Sequence, residues 1–261
     1  MQDTESIFGI LFTVKGIVGL ITLSVLEIIL GIDNIIFISI AVNKLPRESQ
    51  NNARIIGLSL ALIVRSILLC FIGWIAHLKD ALFNIGPYGV SGKGLILFSG
   101  GVFLLYKTWK EIKEKIHQED ESDEDNKNVK NTFAAIITQI IIIDFIFSFD
   151  SILAAVGVSG EVVIMIGGVI ISMILMMLFS GVVADFINRN QGIKTIALAF
   201  LLVIGGVLVA EALIDSYNFT VTEEDHFELN KNYAYVALGF AMFIEILNMK
   251  ERKVKHLKKQ K

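Results

Sequence analysis

Glu27-Ile28-Ile29-Leu30-Gly31-Ile32-Asp33-Asn34 and Asp144-Phe145-Ile146-Phe147-Ser148-Phe149-Asp150-Ser151 decide the fold. Each stretch joins an acid to an aspartate six positions on and then to a small polar residue. Each lies in the middle of an apolar run long enough to cross a bilayer. A carboxylate at the bilayer centre costs about 2.5–3.5 kcal/mol on insertion scales, so intramembrane acids mark function. Holding a cation is the natural use for four of them, and the repetition predicts a transporter built from two similar halves.

Working outward, the chain is 54% hydrophobic over 261 residues with only two prolines. Its apolar runs approach or exceed 20 residues, enough to span a hydrocarbon core of about 30 Å. The fold class is an all-α polytopic membrane protein. Seven spans are expected, near 16–42, 53–77, 92–110, 132–158, 161–187, 193–215 and 232–249. Cys70 is the single cysteine and lies within a span, so no intramolecular disulfide forms. The acidic start Met1-Gln2-Asp3-Thr4-Glu5 argues against a cleaved signal peptide, leaving the first run as a retained span.

The formal net charge of −3 says little, because charge is segregated along the chain. With the C-terminus inside, eighteen of the 23 Lys and Arg residues fall on the cytoplasmic side, four fall outside and Arg65 lies within a span. The positive-inside rule then orients the chain with its N-terminus outside. The expected organisation is 1–110 for the first three spans, 111–131 for an acidic cytoplasmic linker, and 132–215 for an inverted second half. An external loop at 216–231, a seventh span at 232–249 and a basic tail at 250–261 complete it. The linker, with Glu119-Asp120-Glu121-Ser122-Asp123-Glu124-Asp125, reads as solvated chain. The tail reads as an anchor at the anionic inner leaflet, with no role in binding nucleic acid.

Each half opens with an acid-x5-Asp helix and carries a Gly-Gly pair in its third helix, Gly100-Gly101 and Gly205-Gly206. Three spans per half turn the second half upside down, the inverted-repeat plan of many secondary transporters, with their sites near the midplane. Six residues of helix rise about 9 Å. The four acids then form a ladder: Asp33 inner, Glu27 and Asp144 central, Asp150 outer. At 100° per residue Glu27 shares a face with Asn34, and Asp144 with Ser151, while Asp33 and Asp150 stand about 120° away. Unwinding at Gly31 would bring Asp33 round and free backbone carbonyls.

The candidate ligands are all oxygen: the carboxylates, the Asn34 amide and the Ser151 hydroxyl. That set suits Mn2+, Mg2+ or Ca2+ and does not choose among them. Arg65, mid-span, either pairs with an acid until the ion displaces it or forms a purely structural salt bridge. Met165, Met173, Met176 and Met177 in the fifth span read as packing. Glu211, near the outer end of the sixth span, and Glu245, inside the seventh, are secondary candidates. Glu245 either lines an inner vestibule or hydrogen-bonds neighbouring helices together with Asn248.

Glu27-x5-Asp33-Asn34, Asp144-x2-Phe147-Ser148-x-Asp150-Ser151-Ile152 and Tyr233…Phe243-x-Glu245-x2-Asn248 resemble the TerC family of integral membrane proteins. The resemblance runs from the first span to the seventh. It implies manganese efflux across a bacterial plasma membrane, with Glu27, Asp33, Asn34, Asp144, Asp150 and Ser151 carrying the metal and no organic cofactor. The preference for manganese comes from the resemblance alone. Two further readings stand beside export. An intramembrane aspartyl protease is disfavoured, because Gly31-Ile32-Asp33 lacks the Gly-x-Gly-Asp run of such enzymes, and no enzymatic activity is expected. A membrane partner of the secretion translocon, supplying metal to exported enzymes, is compatible with transport. The run His226-Phe227-Glu228-Leu229-Asn230-Lys231-Asn232-Tyr233 departs from the family in lacking a Pro and a Gly.

Overall fold

A computed structural model describes residues 9–117, 129–159, 161–230 and 232–259. The side chains of Asp33 and Asp150 lie outside the described ones. The helices are α1 (Val14–Leu30), α2 (Ile32–Val42), α3 (Arg47–Cys70), α4 (Ile72–His77) and α5 (Gly92–His117). They continue with α6 (Val129–Ser159), α7 (Val162–Arg189), α8 (Gln191–Asn218) and α9 (Asn232–Lys259). Strands β1 (Ala81–Ile85) and β2 (Tyr88–Ser91) form the hairpin between α4 and α5.

Among the described residues, α3, α7, α8 and the Tyr233–Glu251 stretch of α9 are long and apolar enough to cross a membrane. The bent α1–α2 pair is a fifth candidate span. The helical membrane class therefore holds, in the coarser form of four or five spans. Large side chains on the helices stay uncovered, as a lipid-facing surface requires: Leu178, Phe179 and Val182 on α7, and Tyr233, Val236 and Phe240 on α9.

Thr13 starts α1 by accepting the Gly16 N–H at 3.0 Å. The helix breaks at Gly31: the Gly31 N–H turns to Ile28 O at 3.2 Å, and the flanking segments meet at 45°. Gly31 has φ −93°, so space rather than backbone freedom demands glycine. A Cβ there would meet Met176 Sδ at 2.5 Å and the Glu27 carbonyl at 2.9 Å. A second break, at Phe71 between α3 and α4, carries no sequence signal of this kind.

Two compact units result. Unit 1 comprises residues 1–81 and 121–185, and unit 2 comprises residues 82–120 and 186–261. Each therefore draws on both halves of the sequence. In unit 1, a Cβ on Gly19 would meet Ile164, and one on Gly168 would meet Leu23, so α1 and α7 run the same way. Ile140 of α6 packs on Gly57 of α3, and Arg65 reaches Asp144, so α3 and α6 also run the same way. In unit 2, Lys93 pairs with Glu211 and Lys115 with Thr195, so α5 and α8 are antiparallel.

Three local features differ from the expected organisation. The helix α5 continues to His117, so residues 111–117 of the expected linker are helical, and α6 begins at Val129. The basic tail is helical to Lys259, as a continuation of α9. The hairpin was not foreseen; its loop is Gly86-Pro87, with Gly86 at φ 63°, the backbone a two-residue turn with glycine first requires. Ser91 at the end of β2 accepts the Gly94 N–H at 2.8 Å, which caps α5, and its hydroxyl donates to Asp215.

Candidate functional site

Glu27 and Asp144 are brought together by Arg65. The Arg65 Nη1 donates to Glu27 Oε2, and Nη2 donates to Asp144 Oδ1 at 2.9 Å. Glu27 is 1% exposed, and Arg65 and Asp144 are 2% each. Three elements supply the three charges: α1 carries the glutamate, α3 the arginine and α6 the aspartate, all within unit 1.

The helix break sets the next layer. With α2 turned 45° from α1, Asn34 points its Nδ2 at Asp144 Oδ1, 3.1 Å away. Ser148, one turn beyond Asp144, donates to Asp144 Oδ2 at 3.0 Å. Both Asp144 oxygens therefore accept hydrogen bonds, whereas Glu27 Oε1 is buried with no hydrogen-bond partner among the described residues. Ser151 is buried nearby and donates to the Ser148 carbonyl at 3.2 Å. Two carboxylates against one guanidinium leave a net charge of −1 among these groups.

Of the six candidate metal residues, the structure gathers Glu27, Asn34 and Asp144 around Arg65, with Ser151 two turns from Asp144. The Asp33 and Asp150 side chains lie outside the described residues. Among the described residues no group of three His, Cys, Asp or Glu side chains is gathered for a metal. Arg65, with its two alternative readings, pairs with two acids at once. Ser148 was missed as a partner, although its i+4 spacing from Asp144 places the two on one helix face.

The secondary candidates belong to unit 2. Glu211 pairs with Lys93 at 3.3 Å. Glu245 is 8% exposed; its Oε2 accepts from Asn248 Nδ2 at 3.4 Å, and its Oε1 lies against Gly192, in the first turn of α8. The Asn248 bond lies within α9 and does not reach a neighbouring helix. The methionines Met165, Met173 and Met176 are core packing of unit 1, at 2%, 0% and 2% exposure. At the loop end of α5, burial and the neighbouring Lys194 hold the Lys115 ammonium below its usual pKa.

Long apolar helices with a charged triad buried among them define an integral membrane protein rather than a soluble fold. The chain belongs to the integral membrane protein TerC family, whose pattern it matches over residues 12–260. It is similar to a "UPF0053 protein" of Haemophilus influenzae, 37% identical over 237 residues, covering 91% of this chain and 94% of that protein. It is 39% identical over 235 residues to the "UPF0053 inner membrane protein YoaE" of Escherichia coli K12, covering 90% of this chain and 43% of that protein. A "UPF0053 protein" of Buchnera aphidicola is 42% identical over 230 residues, 88% of this chain and 42% of its own. The chain thus spans less than half the length of two of these relatives. No solved structure matches.

Proposed function

We propose that this chain is a secondary transporter in a bacterial inner membrane that exports a divalent cation, Mn2+ foremost, in exchange for protons. The observation that carries the proposal is the buried Glu27–Arg65–Asp144 triad with its open Glu27 Oε1. An uncompensated acid oxygen at that depth is costly unless a cation or a proton uses it. In this reading the guanidinium stands where cargo charge would stand. Cargo displaces Arg65 from one or both carboxylates, with Asn34, Ser151, Asp33 and Asp150 completing an all-oxygen shell. The hard-oxygen set suits Mn2+, with Mg2+ and Ca2+ as the other candidates. Family membership supports the reading; the names of the relatives specify no cargo.

The reading includes seven spans arranged as two inverted three-helix repeats plus α9, with the N-terminus outside. Helix direction supports it: α1 and α7 are parallel, α3 and α6 are parallel, and α5 and α8 are antiparallel, as an exchange of halves requires. The register also agrees. Leu23 and Ile140, each four residues before its acid, pack on Gly168 and Gly57 of the crossing helices. Eight residues beyond those glycines stand Met176 and Arg65, so only one repeat carries the guanidinium.

The test is metal flux in sealed vesicles holding the purified full chain. Asp33→Asn and Asp150→Asn should each abolish flux while leaving the protein inserted. Retained flux in both would remove those two residues from the site. Flux that ignores a pH gradient would remove the proton exchange.

A further inference from the structure

Arg54, in α3, is 8% exposed, yet among the described residues its Nη1 makes only a 3.5 Å bond to the Ser180 carbonyl of α7, and its Nε is buried without a partner. The ion pairs of the described residues give it no carboxylate. Arg65 stands eleven residues further along the same helix, about 20° away in angle and roughly 16 Å along the axis. One buried face of α3 thus carries two arginines: Arg65 held by two carboxylates, and Arg54 held by a single carbonyl. A guanidinium has five donors, and a buried charge is normally paired.

The surroundings say which anion. Arg47 lies seven residues before Arg54 on the same face, exposed, about 10 Å nearer the helix start. Arg54 contacts Ser180, and Ser59 contacts Met177, so α3 and α7 run in opposite directions. Beside Ser180, a Cβ on Gly181 would meet nothing within 4 Å. Arg47 thus stands at the start of a membrane-length helix, with the Arg54 guanidinium about 10 Å further along it. The planar arginine fork matches phosphate oxygens in a bidentate way.

We propose that Arg54 is the inner ligand of an oxyanion site, rimmed by Arg47, that takes a phosphate group from an anionic lipid headgroup or from free phosphate. The proposal stands apart from metal transport. The test is thermal unfolding of the purified full chain in detergent with phosphatidylglycerol, phosphatidylcholine or inorganic phosphate added. For the wild type, phosphatidylglycerol should raise the midpoint by a few degrees over phosphatidylcholine. Arg54→Gln should lose that gain, and Arg54→Lys, which keeps the charge without the fork, should lose most of it. Arg47→Gln should reduce it. A gain from phosphatidylglycerol alone assigns the site to lipid, and an equal gain from inorganic phosphate assigns it to the free anion. No gain from either, or the same gain in wild type and Arg54→Lys, overturns the proposal, whether or not Arg54→Gln folds.

Discussion

Arg65 is the residue on which the buried site turns, because removing it strands two carboxylates where removing either acid strands less. Breaking a buried pair by deleting one partner costs about 3–5 kcal/mol. Arg65→Met should therefore lower the unfolding midpoint in detergent more than Glu27→Gln, which leaves the arginine on Asp144. The triple variant Arg65→Met, Glu27→Gln, Asp144→Asn should recover much of the loss; a triple no more stable than Arg65→Met alone would contradict this balance of charges. Ser148→Ala should cost about 1.5–3 kcal/mol, since the hydroxyl serves an ionised acceptor, and equilibrium unfolding reads this directly. Glu27, Asp144 and Arg65 were legible in the sequence because charge inside an apolar run is conspicuous. That one guanidinium spans both acids was not legible, because α1, α3 and α6 meet only through tertiary packing. The Asn34 amide was legible as a neighbour of Glu27, but it turned out to serve Asp144, because the break at Gly31 rotates it away from the α1 register.

The glycines show how the helices are matched to one another. A Cβ on Gly101 would meet the Gly205 carbonyl at 2.8 Å and the Val209 nitrogen at 2.9 Å, both backbone atoms that cannot give way. One on Gly206 would meet nothing within 4 Å. Gly101→Ala should thus destabilise the chain, while Gly206→Ala should be neutral or stabilise by up to about 1 kcal/mol, the helix preference of alanine over glycine. Equal effects on the unfolding midpoint would show that α5 and α8 are not packed this closely. Gly31→Ala should suppress flux with the protein still inserted, because the new methyl presses on Met176 and on the Glu27 carbonyl at the break. Element existence was legible from apolar length, and the Gly31 break from a lone glycine between two acids. The hairpin was not, because residues 78–91 read only as the connection between the second and third spans when the pairing of β1 with β2 is unseen. The extension of α5 to His117 was masked by Lys and Glu residues that read as linker; Lys110 and Glu114 in fact pair at 3.7 Å, one helical turn apart.

For the whole molecule, the sequence divides at the acidic linker, but the compact units do not. Each unit takes helices from both halves, because α5 packs on α8 and α3 on α6 across long separations in the chain. An alternation of apolar runs cannot reveal such pairing. Orientation, by contrast, rests on charge counts, and it predicts that Ser122→Cys, placed in a Cys70→Ser background, is labelled by an impermeant maleimide only from the cytoplasmic side of oriented vesicles. The most direct test of the account is Mn2+ flux into sealed vesicles holding wild type, Glu27→Gln, Asp144→Asn and, as a control in unit 2, Glu211→Gln. The account predicts flux for wild type and Glu211→Gln and none for the two triad variants. Undiminished flux in Glu27→Gln and Asp144→Asn would contradict it.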